Sequence, residues 1–333
     1  MNMKRKIQEI LIVGLVLTCN TVFGQISQGG IPYSFETKLK KSNENNIKLS
    51  ENVPIIQMPI INQASIDSII EQNKTGFEGF KFAYGFNTNH NVKTASIIDS
   101  LELGLLYRLA IKSTGAYSIN VIFTKYLLPK GAKLFLYNKN KQYLKGAFTS
   151  NNNKRSEILP ITPIPDDEII IEYFEPYYTE FKGKLVIGRV SHDFTDIFNT
   201  QNSDDFGSSG NCQVDINCPE GNNWQDEKRA VLRILKNGDT WCTASLLNNT
   251  NQDGKPYVLT AHHCLCSHDD IDVSSFIFNY ESPTCNGSDG STSQSISGGT
   301  LRATRENQIS HYLNFQKNLF LHLSHIMQVG TEM

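Results

Sequence analysis

Long apolar runs are the first thing this sequence lacks. The stretch from Ile10 to Leu17 falls well short of the roughly 20 residues a membrane-spanning helix needs, and no later stretch comes close. A charge excess is missing too. Lys plus Arg number 31 against 33 Asp plus Glu, a formal net charge of −2. That balance gives no electrostatic reason to expect nucleic acid or an anionic membrane surface as a partner. Cysteine is absent between Cys19 and Cys212, and all six remaining cysteines lie between positions 212 and 285. Disulfide chemistry is thereby confined to the C-terminal part. Helical periodicity is scarce: only residues 65–73 place Ile66, Ile69 and Ile70 on one face, behind Ser65 as a possible N-cap. Aspartate is missing after Asp289.

What is present begins with an export signal. Lys4, Arg5 and Lys6 precede the apolar run, and Val22-Phe23-Gly24 offers a small-residue cleavage site after Gly24, which leaves Gln25. Thr18 stands where a lipid-attachment cysteine wants a small residue before it, so Cys19 is not read as lipidated. The expected location is secreted or periplasmic, with no membrane partner once residues 1–24 are removed. Residues 25–198 are β-rich. The runs 103–111, 117–123, 132–137 and 168–174 combine partial alternation with β-branched and aromatic residues. Leu128-Pro129-Lys130-Gly131, Asn138-Lys139-Asn140-Lys141 and Pro163-Ile164-Pro165-Asp166-Asp167 mark the turns between them. The pattern predicts an antiparallel β-sandwich. Residues 199–206 are polar and have little to bury, so they read as a linker.

The most informative stretch is Thr260-Ala261-His262-His263-Cys264, which closes the strand-like run Lys255-Pro256-Tyr257-Val258-Leu259. A histidine at a strand end, beside a cysteine that can lock it there, suits a general base. Together with Thr240-Trp241-Cys242-Thr243-Ala244-Ser245-Leu246-Leu247 it resembles the chymotrypsin-like serine proteases. Gly207-Ser208-Ser209-Gly210-Asn211-Cys212, Asn217-Cys218-Pro219-Glu220-Gly221, Arg229-Ala230-Val231 and Leu247-Asn248-Asn249-Thr250 narrow the likeness to bacterial lysyl endopeptidases. The resemblance covers residues 207–304, the first barrel of a two-barrel enzyme. It implies that the β-sandwich in front is a prodomain, which makes the chain all-β, a β-sandwich prodomain followed by that first barrel; residues 305–333 depart from the resemblance as a divergent tail. It implies His263 as the catalytic base, a polypeptide substrate and no cofactor. It also implies disulfides Cys242–Cys264 and Cys218–Cys285, with Cys212 reaching into a second barrel. For Cys266 the alternatives are Cys212 or a free thiol.

Peptide hydrolysis by this route needs a serine nucleophile, a histidine, an aspartate that holds its tautomer, and backbone donors for the oxyanion. Only the histidine is clear. Where the resemblance asks for Ser-Asp-Phe, the sequence reads Ser310-His311-Tyr312-Leu313-Asn314-Phe315. Gly207-Ser208-Ser209-Gly210 imitates a nucleophile motif in letters but sits in a polar linker ahead of the first domain cysteine. The segment from Glu306 changes character, which predicts a frameshift or premature end; the alternative is a divergent helix built from Ile309, Tyr312, Leu313, Leu319, Leu323 and Ile326, with His322 and His325 on it. The chain as given is expected to be inactive. The packed His262-His263-Cys264-Leu265-Cys266-Ser267-His268 invites a zinc reading, disfavoured because an exported protein would oxidise Cys242 and Cys264; no metal is expected. His262 is expected to be a bystander, His192 a surface histidine at a strand end, and Asp269, Asp270 and Asp272 a solvated loop. No lysine or arginine lies between Arg189 and Lys228, which argues against self-processing at Gly207. The rival reading is a non-catalytic exported β-domain binding protein with a remnant protease half.

Overall fold

The computed structural model describes residues 27–36, 49–75, 79–198, 214–287, 290–304 and 311–314. The expected signal peptide with Cys19, the linker with Gly207–Gly210, Cys212, and His322 and His325 lie outside the described residues.

The described structure is all-β apart from short helices. In the N-terminal part, one sheet orders its strands as Ile55–Gln57, Gly104–Lys112, Glu168–Pro176, Lys133–Asn138 and Leu144–Phe148, with Ile97–Ser100 also on Gly104–Lys112. A second sheet orders Ile164–Pro165, Ser118–Leu127, Lys184–Asp193 and Ala83–Asn91, with Leu159–Pro160 also on Ser118–Leu127. Every second residue points inward from each sheet. Leu109, Ile111, Leu134, Leu136, Ile169 and Ile171 from the first meet Ile119, Val121, Phe123, Leu185, Ile187 and Val190 from the second in one buried core. The helix Gln63–Thr75 covers the expected 65–73 and buries Ile69.

Four expectations need correction here. Ser65 is not the N-cap but lies inside the helix Gln63–Thr75. The sandwich is not wholly antiparallel, because the edge strand Ile55–Gln57 pairs parallel with Gly104–Lys112. His192 is not a surface residue. It ends the strand Lys184–Asp193 but is buried, with Nδ1 2.8 Å from Ser113 Oγ, and burial pushes its pKa down to about 4. The acidic run near His263 is no solvated loop. It forms the helix His268–Asp272, whose N-terminus is capped by Ser267 Oγ accepting from the Asp270 amide.

The C-terminal sheet runs Ser295–Ser297, Ser275–Phe278, Val231–Lys236, Thr240–Leu247, Tyr257–Thr260, His311–Asn314 and Thr300–Thr304. Its two end strands are joined by Gly298 and Gly299 alone, so the sheet curls back on itself. A separate core of Leu232, Ile234, Ala244, Val258, Leu265, Phe276 and Phe278 fills it. The hairpin between Val231–Lys236 and Thr240–Leu247 turns through Asn237 and Gly238, both at positive φ (54° and 75°), a geometry these two residue types accept at least cost.

A third core lies where the sandwich meets this sheet. Phe82 and Ala83 pack with Ile197, Leu235, Trp241 and Ile277, and the Phe82 ring stacks on Trp241 at 5.1 Å between centroids. The short strand Phe80–Lys81 pairs antiparallel with Thr240 and Trp241. Beside it, Arg189 Nη2 donates to Asp239 Oδ2 at 2.5 Å and its Nε donates to the Asn237 carbonyl at 3.0 Å. Lys154 Nζ donates to the Ser297 carbonyl at 2.6 Å, and Lys145 Nζ donates to Thr292 Oγ1 at 3.0 Å. Burial of these two ammonium ends lowers both pKa values to about 8.

Candidate functional site

The site is built on the end of one strand. Val258 is fully buried in Tyr257–Thr260 and fixes which face looks inward. Thr260 Oγ1 donates to the Thr243 carbonyl at 2.8 Å, which ties the strand end to its neighbour. The chain then turns, with the Cys264 amide donating to the Ala261 carbonyl at 3.1 Å. Cys264 and Leu265 are buried behind the turn, and Cys264 is bonded to Cys242 of the adjacent strand. His263 is thus held between a strand end and a buried bridge, with its side chain exposed. A ring nitrogen of His263 lies within 4.8 Å of both sulfurs of that bridge.

Cysteine and histidine so close together are metal-ligand types, but both sulfurs are spent in the disulfide and neither is a thiolate that could bind zinc. The zinc reading therefore finds no donor set at this place. His262 faces another way, its Nδ1 3.2 Å from Thr304 Oγ1. The imidazole of His263 has no hydrogen-bond partner among the described residues, so neither a tautomer-fixing carboxylate nor a serine hydroxyl is in place beside it.

Asp270 is occupied elsewhere. Burial alone would raise its pKa, but donation from the Cys266 thiol and amide, each at 2.9 Å, and Lys236 Nζ at 3.2 Å hold it at about 2. Cys266 is a free, exposed thiol, and the Asp270 carboxylate that accepts from it raises its pKa. Cys218 is bonded to Cys285 in a different region. There Asn217 Nδ2 donates to the Ser282 carbonyl at 2.6 Å, and the Asn286 amide donates to Asp215 Oδ2 at 2.8 Å. The bridge pins the lead-in segment of the sheet rather than the histidine turn. A hollow of about 390 Å³ lined by Ile216, Trp224, Val231, Leu232 and Tyr280 is likewise not lined by His263.

One neighbour of the site carries no sequence signal. Gly79 packs against the bridge so closely that a Cβ there would lie 2.7 Å from Cys242 Sγ and 2.5 Å from the Trp241 carbonyl oxygen. Nothing in the local pattern around Gly79 points to a partner some 160 positions later.

Residues 206–322 match the family described as lysyl endopeptidase, C-terminal domain. A lysyl endopeptidase of Pseudomonas aeruginosa is 26% identical over 121 residues, 34% of this chain and 26% of that protein. The chain therefore spans about a quarter of the length of the curated relative it matches. It resembles the lysyl endopeptidases in the segment that holds the curled sheet, His263 and both disulfides, and the family match continues past residue 304 through His311–Asn314, which is a strand paired with Tyr257–Thr260 and not part of the divergent helix offered for this segment.

Proposed function

We propose that the C-terminal sheet, from about residue 207 through the strand His311–Asn314, forms the histidine-bearing first barrel of a secreted serine endopeptidase that cuts polypeptides after lysine, with His263 as general base. Residues 25–198 are its prodomain and residues 1–24 its export signal. The observation that supports this best is the seat of His263: an exposed imidazole on a turn locked by Cys242–Cys264, inside the segment that matches the lysyl endopeptidases. A base must be rigid and reachable at once, and a buried bridge beneath an exposed ring supplies both. Two oxidised bridges fit an exported protein.

The 333-residue chain does not turn over substrate by itself in this reading, because His263 has neither a nucleophile to deprotonate nor a carboxylate to fix its tautomer among the described residues. The same lack of partners favours a second reading, a non-catalytic binding protein with a remnant protease half. An assay separates the two. A chromogenic lysyl substrate is incubated with the 333-residue chain, with a form completed by a second barrel, and with the His263→Ala version of each. The protease reading expects hydrolysis only in the completed form and its loss in His263→Ala. Hydrolysis by the 333-residue chain that vanishes in His263→Ala would overturn the inactivity. A completed form with no activity would favour the binding protein.

A further inference from the structure

The strand Thr240–Leu247 has one edge paired by Val231–Lys236 over residues 240–245. Its other edge is shared end to end. Tyr257–Thr260 takes residues 244–247, and Phe80–Lys81 takes residues 240 and 241. Both partners are antiparallel to Thr240–Leu247, so they run in the same direction. The gap between them lies opposite Cys242 and Thr243, where the chain departs to make the turn that carries His263. The N-terminal sandwich thus fills the strand edge that the histidine turn leaves vacant.

The filling segment is held on both sides. Toward the barrel it pairs with Thr240 and Trp241, and the Phe82 amide donates to the Asp239 carbonyl at 2.9 Å. On its outer side Asn73, near the end of the helix Gln63–Thr75, stands in for a further strand: its Oδ1 accepts from the Lys81 amide at 3.0 Å and its Nδ2 donates to the Lys81 carbonyl at 2.8 Å. Gly79 then brings the backbone against Cys242 Sγ, the sulfur that also lies within 4.8 Å of a His263 ring nitrogen. A vacant strand edge beside an exposed imidazole is where an extended polypeptide would be laid, since main-chain pairing gives affinity regardless of side chain.

We infer that residues 79–82 are an autoinhibitory strap, which occupies the peptide-binding edge beside His263 and must leave before a polypeptide reaches the imidazole. The inference rests on His263 being the catalytic base. The strap differs from a substrate in being anchored from outside by Asn73 and from below by Phe82 on Trp241, so it stays on the edge after a substrate of equal backbone affinity would exchange.

The test uses the full chain and three forms: unaltered, Gly79→Val, whose side chain collides with the Trp241 carbonyl and Cys242 Sγ, and Asn73→Ala, which removes the outer anchor with little risk to folding. Amide exchange over residues 240–242, binding of a dye-labelled peptide of residues 79–84, and the rate of His263 modification by diethylpyrocarbonate are measured. Exchange over the strands Gly104–Lys112 and Glu168–Pro176 verifies that the sandwich remains folded. The inference expects the unaltered chain to protect residues 240–242 and to bind no peptide. Both variants should show at least tenfold faster exchange there and saturable peptide binding, while small diethylpyrocarbonate reaches the exposed His263 at the same rate in all three forms. Equal exchange, or equal peptide binding, in all three forms overturns it. None of these readings needs turnover, so release of the strap without lysyl hydrolysis in a completed form would leave the occlusion standing and remove only the catalytic reading.

Discussion

Replacing Cys242 and Cys264 together by alanine separates what the bridge contributes to stability from what it does for His263. The bridge spans a sequence separation of 22, for which the chain-entropy relation gives roughly 3 kcal/mol at 25 °C. The Cys218–Cys285 bridge spans 67, and the same relation gives about 4 kcal/mol. Packing narrows that difference. Cys242 and Cys264 are both buried (7% and 4% exposed), whereas of the second pair only Cys218 is. Each buried sulfur removed is close to a methylene in size, so it adds roughly 0.8 kcal/mol. The two double-alanine variants should therefore lose similar amounts, about 4 to 5 kcal/mol each. Urea unfolding followed by tryptophan fluorescence reads this directly, because both tryptophans, Trp224 and Trp241, lie in the C-terminal half. The variants part company at the histidine: diethylpyrocarbonate should modify His263 at an altered rate only when Cys242–Cys264 is absent. A loss under about 2 kcal/mol for the Cys242/Cys264 variant would refute the entropic reasoning. An unchanged His263 rate would refute the claim that this bridge seats the imidazole.

His192→Asn, which keeps a polar atom where Nδ1 meets Ser113, tests the buried histidine through pH. His192 titrates near 4 in the folded chain and near 6.5 when unfolded. The unfolded chain therefore binds the extra proton between those values, and the histidine's contribution is full above about pH 6.5 and lost as pH falls toward 4. The stability difference between the original chain and His192→Asn should rise with pH across that window and be flat above pH 7; a flat difference throughout would show that His192 is solvated. Asp193 is left intact in both forms because burial raises its pKa to about 6, a slope of opposite sign that the comparison cancels. Arg189→Ala strands Asp239, whose side chain is 3% exposed, and losing one partner of a buried pair costs about 3 to 5 kcal/mol. Asp239 keeps the Thr240 hydroxyl at 2.8 Å and Lys81 at 3.8 Å, which places the loss at the lower end. Urea unfolding checks it, and a loss below about 1 kcal/mol would mean that the pair is solvent-screened.

The sequence announces the elements that bury one whole face. Leu109 and Ile111, Leu134 and Leu136, and Ile169 and Ile171 alternate inward, and the expected strands 103–111, 132–137 and 168–174 fall within one or two residues of those observed. Tyr257–Thr260 alternates in the same way, with Val258 and Thr260 buried, whereas Thr240–Leu247 and the turn with His263 are legible through their likeness to the chymotrypsin-like proteases. Ala83–Asn91 carries no such announcement. Asn87, Asn89 and Asn91 are poor strand formers, and this strand is held by its pairing with Lys184–Asp193 at the sheet's edge. His192 read as exposed because its burial is made by Ser113 and the strands around it, which are distant in sequence. The strap beside His263 is illegible for a stronger reason. Its meaning lies in Asn73, Gly79 and Trp241 at once, and no local periodicity links positions that far apart.

The Arg189 junction also limits how this sequence can drift. A Cβ at Gly85 would lie 2.0 Å from Arg189 Nη2, so the guanidinium occupies the space a side chain at 85 would need. That same guanidinium is committed to Asp239 and to the Asn237 carbonyl across the junction. Gly85, Arg189 and Asp239 therefore form one inheritable unit drawn from three separate strands or turns. In related chains with this junction, the three should be gained and lost together, and a hybrid that joins the sandwich of one relative to the barrel of another should assemble only when both halves carry matching members of the set.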